Sequence, residues 1–175
     1  MLGAIAARRR AAATASPWVS LAFTEIDLGA GEVQFTKATG TTWEGFANLT
    51  APGDFRVRIQ PQQNNIAIAV GLDEVTGAVV DTGSLAEHCN LRSDTGYSGS
   101  TGYAPDSAVV YAYAANDYFW LERVGTVLKI CKGGDGTFET ASLFYAWSTD
   151  TSDTDVLKVL IRDQGGSVRA RYELL

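Results

Sequence analysis

The sequence predicts an all-β protein, a two-sheet antiparallel jelly-roll sandwich behind a short N-terminal arm. Three observations carry that expectation. Eighteen glycines stand against four prolines in 175 residues, and Thr, Val, Tyr and Trp outweigh the helix-favouring Lys and Glu, the composition of many short strands joined by tight turns. From Trp18 onward the apolar residues recur with period two rather than 3.6. The stretch from Ala108 to Thr137, AVVYAYAANDYFWLERVGTVLKICKGGDGT, reads as three consecutive antiparallel strands with short turns.

An apolar content of 46% over this length supports one core, so the division is an arm over residues 1–17 and one sandwich over 18–175. The net charge of −6 argues against a body that grips nucleic acid or an anionic membrane, because both demand a basic face. Cys89 and Cys131 are too few for a disulfide framework and lack metal-ligand spacing, so they are expected as free thiols and no cofactor or metal is expected. His88, the sole histidine, adjoins Cys89. Neighbours on a strand point to opposite faces, so the expectation is a partly buried thiol beside a surface imidazole, not a catalytic pair.

The opening, MLGAIAARRRAAATASP, has its arginines after its apolar residues, the reverse of a secretion signal. Residues 2–15 are strong helix formers stopped before Pro17, yet an isolated helix of that length is marginal in water. The arm is thus either a frayed tail or a segment ordered by a partner, and the second reading is adopted here: Leu2 and Ile5 enter a neighbouring subunit while Arg8, Arg9 and Arg10 find carboxylates there.

Trp18 to Asp27 alternates as a first strand and stops at the Gly29-Ala30-Gly31 turn; Val33 and Phe35 begin a second. Thr36 to Thr50 reads as an irregular crossing with Trp43 and Phe46 as aromatic plugs. Asp54 to Gln60 is amphipathic, with Phe55, Val57 and Ile59 inward and Arg56, Arg58 and Gln60 toward solvent or a partner. Asn65 to Leu72 is apolar on both faces and very small on one, which suits a central strand lying under something bulky. A short strand is expected at Ala78 to Asp81, then a long exposed loop from Asn90 to Asp106. Phe138 to Trp147 holds another strand, and Val156 to Arg162 with Ser167 to Leu174 reads as a closing hairpin across Asp163-Gln164-Gly165-Gly166. The last strand, Val168 to Leu174, is expected to return near the first. About ten strands at this spacing suit a sandwich rather than a small barrel.

Val70-Gly71-Leu72 ending an apolar strand, the aromatic strand YFWLERVGTVLKIC, and the Gly133-Gly134-Asp135-Gly136 turn before Thr137-Phe138 together resemble the concanavalin A-like lectin and glucanase sandwich, over about two-thirds of the chain. Copies of that fold occur in bacteriophage tail and capsid appendages. The resemblance implies a virion structural protein, non-enzymatic and homo-oligomeric within its assembly, with host surface glycans as a further partner; the rival readings are a free, secreted carbohydrate-binding module and a glycoside hydrolase. Laminarinase-like members carry Glu-x-Asp-x-Glu on one strand, and here Glu25-Ile26-Asp27 is followed by Gly29, with Glu32 beyond the turn, so the acid pair is incomplete.

A glycan surface needs flat aromatic faces with hydrogen-bonding groups beside them. Asp94, Tyr97, Tyr103 and Asp106 supply both within one glycine-rich loop, which reads equally as an ordinary connection. Asp150, Asp153 and Asp155 lack the pattern of a calcium loop and read as a solvated acidic turn. Trp18, Trp43, Trp120 and Trp147 read as core.

Overall fold

Strands of mixed Val, Ile, Phe and Tyr content with one apolar face bury that face against a second sheet, and the described residues hold thirteen strands in two such sheets. The structure, a computed structural model, describes residues 18–43, 46–50, 53–64, 66–73, 85, 87–92, 108–133, 135–147 and 156–175. The strands are β1 (Val19–Leu21), β2 (Phe23–Gly29), β3 (Glu32–Lys37), β4 (Phe46–Thr50), β5 (Phe55–Pro61), β6 (Ala67–Asp73), β7 (Glu87–Arg92), β8 (Ala108–Ala112), β9 (Tyr118–Val124), β10 (Val127–Gly133), β11 (Ala141–Ala146), β12 (Val156–Ile161) and β13 (Ser167–Leu174). A six-stranded sheet runs β1-β4-β12-β6-β7-β8 and a seven-stranded sheet runs β11-β10-β9-β5-β13-β3-β2. All pairs are antiparallel except β7 with β8.

The core lies between the sheets. Phe55, Val57 and Ile59 of β5, Phe119 and Leu121 of β9, and Val168 and Ala170 of β13 meet Ile68, Val70 and Leu72 of β6 and Leu157, Val159 and Ile161 of β12 in one buried cluster. The expected alternation in β5 and the two apolar faces of β6 are both found, and β6 is central in its sheet. Its small outer face is covered as expected: Trp43 packs against a second buried cluster of Ala69, Leu85 and Leu160.

Several expectations are corrected. The first strand is two: Ala22 takes φ 62°, and the chain passes there from the edge of one sheet to the edge of the other. Val156–Ile161 and Ser167–Leu174 do not form a hairpin, because the Asp163–Gly166 turn carries the chain across the gap, putting β12 against β4 and β6 and β13 against β3 and β5. The last strand shares a sheet with β2, but β3 stands between them. Of the three strands expected over Ala108 to Thr137, β8 belongs to the other sheet; the consecutive antiparallel set is β9, β10 and β11. The crossing over Thr36 to Thr50 contains a regular strand, β4. Asn90 to Arg92 is strand, not loop, and Phe138–Thr140 is a 3-10 turn preceding β11. The Ala78 to Asp81 segment lies outside the described residues.

Candidate functional site: a polar-aromatic groove on the outer face of the seven-stranded sheet

Alternation fixes what this face displays. β5 sends Phe55, Val57 and Ile59 inward and therefore Arg56 and Arg58 outward. Register then sets their neighbours: Arg56 lies opposite Glu122 of β9 and Glu173 of β13, and Arg58 opposite Trp120 and Arg171. Lys129 of β10 is paired across from Glu122.

These neighbours form a fixed lattice of charge. Arg56 places Nε 2.7 Å and Nη2 2.6 Å from Oε2 of Glu122, while Lys129 Nζ sits 2.6 Å from Oε1. The Glu122 side chain is 3% exposed, so a buried carboxylate is compensated on both oxygens. Arg58 donates to Glu32 Oε1 at 2.9 Å and to the Gly136 carbonyl at 3.4 Å. Arg171 Nε is 3.2 Å from Glu173 Oε1, and Arg169 Nε donates to Gln34 Oε1 at 3.2 Å.

The turn after β10 roofs one side. Asp135 Oδ1 accepts from the Thr137 N–H at 3.1 Å and from the Thr137 and Thr140 hydroxyls at 2.7 Å each. The Thr137 hydroxyl first, then that of Thr140, hold the Asp135 carboxyl down at about 2, since each bond favours the charged form. Gly136 takes φ 83°, and a Cβ there would come 3.0 Å from the Tyr118 ring, so the turn needs a residue with neither constraint. Phe138 is thereby laid over the sheet, with the Arg56 guanidinium 3.6 Å from its ring centroid and the Trp120 ring edge-on at 5.8 Å and 79°.

Between turn and sheet is a cavity of about 200 Å³ lined by Arg56, Trp120, Gly136, Thr137, Phe138, Glu139, Arg171 and Glu173. It has room for several waters or one small polar group. It offers guanidinium and hydroxyl donors, carboxylate acceptors and the edge of an aromatic pair.

The sequence-predicted residues fare differently. Asp94, Tyr97, Tyr103 and Asp106, the arm residues Leu2, Ile5, Arg8, Arg9 and Arg10, and Asp150, Asp153 and Asp155 all lie outside the described residues. Glu25, Asp27 and Glu32 are not brought together: Glu25 bonds Ser20, Asp27 Oδ1 accepts the Gly29 N–H, and Glu32 pairs with Arg58 on the opposite side of the sheet. Among the described residues no three potential ligands gather as a metal site. Cys89 and Cys131 are free and buried. His88 is not at the surface; it is 3% exposed, because its face of β7 is covered, while Cys89 joins the core on the other face. Trp18, Trp120 and Trp147 are buried and Trp43 half-buried. What the sequence reading missed is the groove itself, although the outward pair Arg56 and Arg58 signalled the face.

No protein-family model matches the chain, and no curated protein does. Among solved structures it is similar to a functionally unknown protein from Saccharomyces cerevisiae, at 16% identity and a TM-score of 0.42, over 89% of this chain and 91% of that one. The strand pairing itself establishes an all-β sandwich of two antiparallel sheets, and the fold leaves function to be argued from the groove.

Proposed function

We propose that the chain is a non-enzymatic structural protein of a bacteriophage particle, a tail or capsid appendage of the concanavalin A-like kind, that holds a host-surface glycan in the groove and is anchored by residues 1–17. One observation carries the binding half: the groove's donors and acceptors are held in place, Arg56 by the buried Glu122 beneath it and Arg171 beside Glu173, next to Thr137 and Phe138. Glycoside hydrolysis needs two carboxyls flanking the bond, one able to give a proton and one to attack or activate water, whereas a binding groove needs fixed donors and acceptors.

The anchoring half draws support from the edge of the seven-stranded sheet. β2 presents Ile26 and Leu28, 50% and 42% exposed, together with the carboxylates of Glu25 and Asp27. Apolar residues beside acids on an edge strand match an arm that carries Leu2 and Ile5 before Arg8, Arg9 and Arg10. Repetition around a ring would make a weak contact strong through effective concentration.

The test has two parts. Glycan-array binding with no release of sugar is expected, and deletion of residues 1–16 is expected to leave a folded sandwich that no longer joins the particle. Incorporation of the truncated protein at full occupancy would favour the free carbohydrate-binding module, a reading supported by a groove built within one chain. Turnover abolished by Glu25→Gln would establish the glycosidase instead.

A further inference from the structure

We infer that the groove takes an acidic glycan, one whose sugar carries a carboxylate, and that Arg171 with Arg169 of β13 is the element that recognises it. The inference rests on the reading that the groove binds a glycan and adds the charge that glycan must have.

The first observation is a concentration of cations on one face of an acidic protein. Arg56, Arg58, Lys129, Arg169 and Arg171 stand on the outer face of the seven-stranded sheet against Glu32, Glu122 and Glu173, with Glu139 and Asp135 on the turn above, so the charges there balance. The whole chain carries −6. A face without net negative charge on such a chain is where an anion meets the least repulsion.

The second observation is which cations are already spent. Glu122 occupies Arg56 and Lys129, and Glu32 with the Gly136 carbonyl occupies Arg58. Arg171 and Arg169 are held only by their Nε atoms, to Glu173 and Gln34, so among the described residues the terminal nitrogens of both guanidiniums have no acceptor. The two alternate with buried Ala170 on one strand, which puts them on the same face about 7 Å apart. A guanidinium pinned at Nε presents its remaining N–H groups as a planar fork, the geometry that a carboxylate fills with two parallel bonds. Arg171 lines the cavity. Arg169 lies beyond it along β13, placed for the next unit of a chain-like ligand.

The third observation is that the lining leaves room for the neutral part of a sugar. Phe138, partly exposed, gives a small apolar area for C–H groups, and Thr137 and Glu139 give partners for hydroxyls.

The experiment is titration of the full chain, by calorimetry, with an oligogalacturonate and with the same oligosaccharide after its carboxyls are reduced to hydroxymethyl groups. The expected result is binding of the uronate, weakened on carboxyl reduction and by Arg171→Gln by about tenfold to a hundredfold, with a smaller loss for Arg169→Gln. Arg171→Lys should recover part of the affinity, and thermal unfolding of each variant separates a lost contact from a lost fold. Equal binding of both oligosaccharides overturns the acidic preference and leaves the glycan reading standing. Equal binding of dextran sulfate and the uronate makes the face a non-specific anion surface and overturns recognition by the fork. Binding of neither oligosaccharide, while a neutral glycan binds on an array, overturns the inference alone; no glycan bound at all overturns both.

Discussion

Replacing Glu122 by Ala removes the one anion between two cations, and the structure sets the size of the penalty. Breaking a buried ion pair by deleting one partner costs about 3–5 kcal/mol when the remaining charge stays buried. Here the orphans are not equally buried: the Arg56 side chain is 18% exposed and Lys129 34%, so Lys129 swings into water at little cost and the estimate falls to about 2–3 kcal/mol. In a domain of this size each kcal/mol shifts Tm by about 2–4 °C, so a fall of about 5–10 °C is expected. Calorimetry or urea unfolding followed by tryptophan fluorescence measures it. Glu122→Gln, which keeps the volume and one acceptor, should fall between Ala and the parent. Combining Glu122→Ala with Lys129→Met should cost less than the sum of the two single changes, because the second removes a charge that the first leaves uncompensated. A Glu122→Ala Tm within about 2 °C of the parent would refute the reasoning, because a sequestered, doubly paired carboxylate cannot be deleted so cheaply. It would also remove the ground for treating Glu122 as structural rather than reactive.

Lys158, fully buried with Nζ 2.8 Å from Asp73 Oδ2, should lose about 3 kcal/mol on change to Met, and much of that should return when Asp73→Leu removes the stranded carboxylate as well; denaturant unfolding decides it. Asp135 has its folded pKa lowered to about 2, so the stability it contributes is present above its unfolded value and lost as pH falls from about 4 toward 2. Asp135→Asn should flatten the Tm-versus-pH curve in that window and leave it unchanged near pH 7 apart from a constant offset. Burial pushes both thiols up, Cys89 most, so Ellman's reagent at pH 8 should label neither in the native protein and both in guanidinium. Gly133→Ala would put a Cβ 2.5 Å from the Ala141 Cα, and since backbone rather than a movable side chain is in the way, a loss of about 1–3 kcal/mol is expected in the same unfolding assay.

Period-two alternation told which residues of a strand share a face, and where that was the question it served well. β5 and β6 were legible from Phe55, Val57 and Ile59 and from Ile68, Val70 and Leu72, and even the bulky cover over Ala69 followed from the small residues beneath it. Alternation does not tell which sheet a strand joins. The turn at Asp163–Gly166 has the residues of a hairpin, and a crossing between sheets uses the same ones, so β12 and β13 could be separated only by their partners β6 and β5. At Ala22 a single left-handed alanine, invisible in composition, divides what alternation runs together. β7 was missed because His88, Asn90 and Arg92 leave just Cys89 and Leu91 as its apolar signal. The groove escaped for a related reason: Arg56, Glu122, Phe138 and Arg171 come from four separate parts of the chain, and only the register of β5 with β9 and β13 brings them together.

That register also explains why the groove lies on this sheet and not on the other. The six-stranded sheet has small residues, Ala67, Ala69 and Gly71, along the outer face of its central strand, which lets Trp43 and Leu85 lie close and seals even Lys158 and His88 beneath cover. Among the described residues, the centre of that face is closed. The seven-stranded sheet carries Arg56, Arg58, Trp120 and Glu122 at the equivalent central positions, side chains too long and too charged to be roofed by aliphatic groups. They are satisfied by one another, and the Gly136–Phe138 turn covers part of them, leaving about 200 Å³ open beside Arg171. The choice between alanine and arginine at outward positions of two central strands thus decides which outer face is sealed and which carries the groove. In β5 the same alternation that packs Phe55, Val57 and Ile59 between the sheets therefore exposes the charges with which the groove is built.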